Sequence, residues 1–270
     1  MVSLRTVAML GAAALSLAAA VHASAADAPL ADQPFSHEAA LRTSQDAIGR
    51  TLADTAFRDT LGQPFHLQQL AGKPLVVSLI YTSCHHVCPL ITRNLEKTVA
   101  VARDALGDDA FSVVTIGFDW PIDTPEQMRV YATSRGIDQR NWYFLSGDAA
   151  SIEAITRDLG FHYAASAKGY DHLSQTSIVD HNGRVYRQVY GQDFDAPALV
   201  EPLKELVFDT PVEAGLIEHW VDTLRFFCTV YDPNSGRYLF DYSIFMTIIV
   251  GMLCLGAILA FIVIEWRRAV

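Results

Sequence analysis

Alternating strand-like and helix-like patterns between residues 51 and 208 predict an α/β fold, a central sheet with flanking helices. Two observations carry most of that reading. Residues 74–81 and 111–118 are continuous apolar, β-branched runs, which suit strands buried on both faces. Each is followed by a helical pattern rather than by a second strand. A third observation adds one C-terminal transmembrane helix. Residues 243–264 carry no charge, and at ~1.5 Å per residue they span roughly 33 Å.

Taken in order, residues 57–67 place two extended runs around Gly62, a hairpin signal. The strand at 74–81 leads into a helix with Leu90, Ile91, Leu95, Val99 and Ala102 on one side. After the strand at 111–118, Thr124-Pro125-Glu126-Gln127 opens a helix, with Thr124 as cap, Pro125 at the first helical position and Gln127 completing a capping box. Residues 141–145 suit a third strand. Residues 148–159 suit a helix that Gly160 ends. Residues 176–180 and 184–189 flank Asn182-Gly183, a hairpin turn, and residues 195–207 close with a helix. This order fits a thioredoxin-like sheet.

The chain has 270 residues, with 20 Lys+Arg against 30 Asp+Glu and a net charge of -10. That balance argues against nucleic acid, whose phosphates demand a Lys/Arg excess. Half the residues are hydrophobic (51%), which excludes disorder over most of the chain. Four cysteines are too few for a disulfide-stapled scaffold. The mean hydropathy of +0.20 is raised by the two end segments.

Residues 1–26 read as a signal peptide: Arg5 is the only charge, an apolar stretch follows, and Ala23-Ser24-Ala25 offers a small-x-small cleavage pattern. An uncleaved anchor helix is the alternative. Residues 27–50 look like a flexible lead-in, 51–208 form the folded domain, and 209–242 connect to the apolar segment at 243–264. The tail at 265–270 carries Trp266, Arg267 and Arg268, which mark a cytoplasmic end. A buried core helix is the alternative for 243–264. Together the ends place the protein as a single-pass protein of a bacterial inner membrane, its domain in the periplasm and its C-terminus cytoplasmic, with the membrane itself a partner.

The chemistry lies at Cys84-His85-His86-Val87-Cys88-Pro89, directly after the first buried strand. If a helix starts there, Cys84 and Cys88 share one face a turn apart. A helix N-terminus favours the thiolate. Two adjacent thiolates either bond to each other or hold a soft metal; soft sulfur suits Cu(I), whereas Zn usually takes four ligands and no second pair is nearby. A structural disulfide is the alternative.

Tyr81-Thr82-Ser83-Cys84-x-x-x-Cys88-Pro89 resembles the metal-binding motif of the Sco/SenC family. Phe118-Asp119-x-x-x-Asp123-Thr124-Pro125-Glu126 resembles a second family segment, and Asp171-His172, eleven residues before Gly183, a third. The resemblance spans roughly residues 50 to 208. It implies a thioredoxin-like fold that binds copper through Cys84, Cys88 and His172. It also implies service to the dinuclear copper centre of cytochrome c oxidase subunit II, or of another copper oxidase, by copper delivery or thiol reduction. Two thiolates and an imidazole suit Cu(I), and the same set with a fourth ligand can hold Cu(II). On this reading Asp171 orients the His172 ring. Taken alone, His172 also reads as a solvated loop histidine.

The sequence departs from the family pattern at His85-His86, where exposed loop side chains are weighed against extra ligands. It departs again at Trp120-Pro121. Asp119 either contacts the site or caps the next turn. Cys228 and Cys254 read as buried or membrane-region thiols rather than ligands. The rival function is a thiol-disulfide oxidoreductase with Cys84 as nucleophile and Cys88 as resolver, which would not need His172. A peroxiredoxin-type peroxidase fails, because Val77 and Tyr81 stand where that pattern has Pro and Thr. Because the pair must be reduced to take copper, a thioredoxin-like reductant is an expected partner.

Overall fold

The computed structural model describes residues 35–84, 87–209, 229–232, 237–240 and 243–269. The leader at 1–26, His85, His86, Cys228 and most of the connector at 209–242 lie outside the described residues. So do residues 27–34 of the expected lead-in.

The chain from residue 35 begins with a helix, α1 (His37–Gln45), where a flexible lead-in was expected. Ser36 caps it by accepting the Ala39 N–H, and Glu38 sits in its first turn, where the helix dipole favours an acid. Ala40 and Ser44 are buried, so this Ala-rich stretch is ordered by packing rather than by pattern. Ser44 also hydrogen-bonds Tyr190 at 2.8 Å.

A short hairpin follows, β1 (Ala56–Arg58) and β2 (Pro64–His66), turned at Gly62 with φ 77°. Then come β3 (Leu75–Ile80), α2 (Val87–Leu106), β4 (Ser112–Gly117), α3 (Pro125–Ser134), β5 (Trp142–Ser146) and α4 (Ala149–Asp158). Thr124 caps α3 by accepting the Gln127 N–H, and Asp148 caps α4 by accepting the Ser151 N–H at 2.8 Å. β6 (Tyr163–Ser166) and β7 (Gly169–His172) form a hairpin that the periodicity did not predict. β8 (Gln175–Val179) and β9 (Val185–Tyr190) form the expected one, with Gly183 at φ 77°, and α5 (Ala196–Asp209) follows.

Seven strands make one sheet in the order β2-β1-β5-β4-β3-β8-β9. β3, β4 and β5 are parallel, and β8 runs antiparallel against β3. All six residues of β3 and all six of β4 are buried, as continuous apolar runs require when both faces are covered. From α2, Ile91, Leu95, Val99 and Ala102 enter the core as expected, but Leu90 is exposed. This is the thioredoxin-like α/β arrangement expected, with the C-terminal ends of β3 and β4 side by side.

The β6–β7 hairpin is a two-stranded sheet separate from the seven-stranded one. β10 (Thr229–Asp232) and β11 (Arg237–Phe240) make another, within the predicted connector.

The last helix, α6 (Ser243–Ala269), covers the apolar segment. Here the expectation is corrected: among the described residues, no helix is long and apolar enough to cross a membrane. A bilayer core needs roughly 20 consecutive apolar residues. Arg267 and Arg268 occupy the last turn of α6. The transmembrane span over 243–264 is withdrawn, and with it the single-pass inner-membrane placement and the membrane as partner. Cys254 lies exposed on this helix, so the buried packing expected of it is not found.

Candidate metal centre

The cysteines sit where β3 ends and α2 begins. Tyr81 leaves the strand buried, a turn brings the Cys84 N–H to the Tyr81 carbonyl (3.1 Å), and α2 starts at Val87. The Cys88 N–H then donates to Cys84 Sγ at 3.4 Å. Cys84 thus stands ahead of α2, its Sγ accepting the Cys88 N–H in the helix's first turn, so the two cysteines do not share one helix. Neither is in a disulfide, and both are buried. Burial pushes the Cys88 thiol well above its usual range, and the neighbouring Cys84 adds to the shift. A buried thiol of that kind is a poor nucleophile on its own.

The loop is pinned from the next strand. Gly117 ends β4, and a Cβ there would meet the Asp123 Cβ at 2.5 Å, so Asp123 folds back tightly on the strand end. Its Oδ1 accepts the Thr82 N–H (2.8 Å) and the Thr82 hydroxyl (2.6 Å), and its Oδ2 accepts the Asp119 N–H (2.9 Å). Asp123 is fully buried. Burial raises its pKa, and the Thr82 and Asp119 donors oppose that rise. Asp119 is also buried, and its Oδ1 accepts the Tyr170 hydroxyl at 3.0 Å. The two weighed roles of Asp119 resolve into a contact with β7.

His172 is the last residue of β7, paired across from Tyr163. It is not a solvated loop histidine. Its ring lies 5.3 Å from Phe161, 5.6 Å from Phe118 and 6.1 Å from Tyr81, centroid to centroid. Burial lowers its pKa, so the ring is favoured neutral. Nδ1 lies 2.8 Å from the Leu173 carbonyl, which can only accept. The proton is therefore on Nδ1, and Nε2 keeps its lone pair. The group that orients the ring is the Leu173 carbonyl; Asp171, expected in that role, is exposed and acts on the ring only through its charge.

Tyr81 joins the two halves. Its hydroxyl faces the Cys84 side chain and the Tyr170 backbone N–H. Burial is the largest cause of its pKa rising to about 12. Its ring packs on Phe118 (5.4 Å) and edge-on against Tyr170 (5.3 Å). Gly169, at φ 115°, lets β7 approach, since a Cβ there would meet the Tyr81 hydroxyl at 2.8 Å.

Of the residues singled out, the fold brings Cys84 and Cys88 together and seats His172 on aromatic rings that Tyr81 shares. Among the described residues it gathers no group of three or more His, Cys, Asp or Glu side chains close enough to hold a metal ion. The donor chemistry nevertheless suits a soft metal: two thiols not joined in a disulfide, with the Cys88 N–H on Cys84 Sγ, and an imidazole with an unprotonated Nε2. Sequence reasoning missed Tyr170. Its only signal was the density of aromatics at Phe161, Tyr163 and Tyr170.

Comparison with known proteins follows the same residues. The SCO1/SenC family model matches residues 45–207. The SCO1 protein homolog of Bacillus subtilis is 25% identical over 154 residues, 54% of this chain and 77% of that protein. A SCO1/SenC family lipoprotein from Bacillus anthracis str. Ames superposes with a TM-score of 0.52 at 25% identity, over 58% of this chain and 95% of its own. Yeast Sco1 with copper bound superposes with a TM-score of 0.50 at 17% identity, over 64% of this chain and 98% of its own, a likeness of fold.

Proposed function

Because the chain belongs to the SCO1/SenC family, we propose that it is a copper chaperone that takes copper on Cys84, Cys88 and His172. On this reading it assists maturation of the dinuclear copper centre of cytochrome c oxidase subunit II or of another copper oxidase. The observation that carries the proposal is the buried pair Cys84/Cys88, not joined in a disulfide, after the end of β3, with the Cys88 N–H on Cys84 Sγ. Yeast Sco1, which shares the fold, holds copper.

Copper is cargo here, and the residues' roles follow from their chemistry. Cu(I) prefers thiolates, so loading displaces the thiol protons, including the one that burial holds on Cys88. His172 needs no deprotonation, because the Leu173 carbonyl already holds its proton at Nδ1. The same set with a fourth ligand accommodates Cu(II). Loading requires the reduced pair, so a thioredoxin-like reductant is the expected partner upstream.

The test is copper stoichiometry of the reduced full chain beside Cys84→Ala, Cys88→Ala and His172→Ala. One copper per wild-type chain is expected, with affinity cut by about 100-fold or more in each variant. Weak binding that ignores His172, with brisk disulfide exchange, would assign the chain to thiol-disulfide oxidoreduction instead.

A further inference from the structure

The β6–β7 hairpin carries His172 yet shares no strand pairing with the main sheet. What holds it there is side-chain and turn chemistry centred on one residue that no motif includes. Tyr170 stands two residues before His172. Its backbone N–H faces the Tyr81 hydroxyl, which lies beside the Cys84 side chain. Its own hydroxyl donates to Asp119 Oδ1 at 3.0 Å. The Asp119 N–H donates to Asp123, and Asp123 accepts both donors of Thr82, two residues before Cys84. β7 is therefore tied at Tyr170 by two routes, a chain of hydrogen bonds through Asp119 and a contact with Tyr81. Both return to the loop that bears the first cysteine.

We propose that Tyr170 is a positioning residue for His172: its hydroxyl's hydrogen bond to Asp119, with its N–H against Tyr81, sets how the imidazole-bearing strand stands relative to Cys84. This rests on the copper reading given above, and deepens it. A single strand of four residues with no neighbour in the main sheet has few backbone restraints of its own. The Phe118 and Tyr163 rings, 5.3 and 5.6 Å from the Tyr170 ring, provide contact area but little directional constraint. The hydroxyl on a buried carboxylate and the N–H on Tyr81 supply the direction. Removing the hydroxyl while keeping the ring widens the range of His172 positions, and the third copper donor is then engaged for less of the time.

Tyr170→Phe in the full chain tests this, in wild-type and His172→Ala backgrounds. Two readouts are taken. In the metal-free protein, amide hydrogen exchange across Tyr163–His172 is expected to speed up by about tenfold in Tyr170→Phe, with β3 and β4 unchanged. In the reduced protein, Cu(I) affinity by chelator competition is expected to fall by about tenfold, and that fall is expected to vanish when His172 is already Ala. Asp119→Asn, which keeps an acceptor for the Tyr170 hydroxyl, is expected to retain most of the wild-type exchange protection. Unchanged exchange in Tyr170→Phe would overturn the positioning role whatever the metal does. So would an equal affinity loss in both backgrounds. A wild-type chain that binds no copper would sink the chaperone reading, while the exchange experiment would still decide whether Tyr170 holds the hairpin.

Discussion

The two halves of the candidate centre are held in opposite ways. Cys84 and Cys88 stand on the end of β3, a strand buried along its length and paired on both sides, by β4 and β8. His172 stands on β7, a half-buried strand paired only with β6. The first half inherits the stability of the whole sheet. The second depends on an aromatic seat and a few directed hydrogen bonds. On the proposed copper reading, a site divided in this way would keep its two thiols fixed and leave the imidazole adjustable, as suits a centre that must release its cargo.

The contrast can be broken most severely at Phe118, which belongs to both halves. Its side chain is buried in the main core and packs against Phe161, Tyr163, Tyr170 and His172. Phe118→Ala is expected to cost about 3–5 kcal/mol in chemical denaturation and to abolish hydrogen-exchange protection of the hairpin at the same time. Ile80→Ala strikes the cysteine half alone. It should cost about 2–4 kcal/mol globally, and a hairpin that melts separately from the sheet in that variant would contradict the link through Tyr81. Gly169→Ala strikes the histidine half, by placing a Cβ at φ 115° against the Tyr81 hydroxyl. About 1–2 kcal/mol is expected, read as faster exchange confined to residues 163–172. Thr82→Val removes one hydroxyl donor to Asp123 while the N–H remains, and about 1 kcal/mol is expected by thermal unfolding.

The smallest effect is pH dependence. The folded pKa of His172 lies below its unfolded value of 6.5, because burial disfavours the charged ring. The unfolded state therefore binds a proton first as pH falls. Stability should decline on acidification through pH 6.5 and level off below the folded pKa. His172→Ala should flatten that slope in metal-free unfolding curves; a slope that persists unchanged would place its origin elsewhere.

The same contrast governs what could be read from the chain. The cysteine half was legible because two-sided burial writes an unbroken apolar run, and the CxxxC follows that run at once. The cap at Thr124 and the turns at Gly62 and Gly183 are local chemistry, and they stand as expected. The β6–β7 hairpin was illegible. Tyr163-Ala164-Ala165-Ser166 carries no alternation, and its order comes from rings contributed by β3 and β4. The roles of Tyr170 and of the Leu173 carbonyl depend on tertiary placement that no spacing encodes. The first helix, α1, was hidden by an Ala-rich composition that reads equally well as a mobile leader. The apolar segment at 243–264 failed differently: it does form helix, but among the described residues no helix is long and apolar enough to cross a membrane.

Residues 49–52 lie along the outer side of β9. Gly49 donates to the Val185 carbonyl, Val185 donates to the Arg50 carbonyl, Leu52 donates to the Gly183 carbonyl, and Thr51 bridges Arg184 antiparallel. They act as a selvedge, a woven border that uses up backbone donors and acceptors which would otherwise face outward at the margin of the sheet. A chain cut to start at residue 53 would expose that border as a template for a second molecule. Concentration-dependent self-association, rather than loss of the fold, is the expected fate of such a truncation.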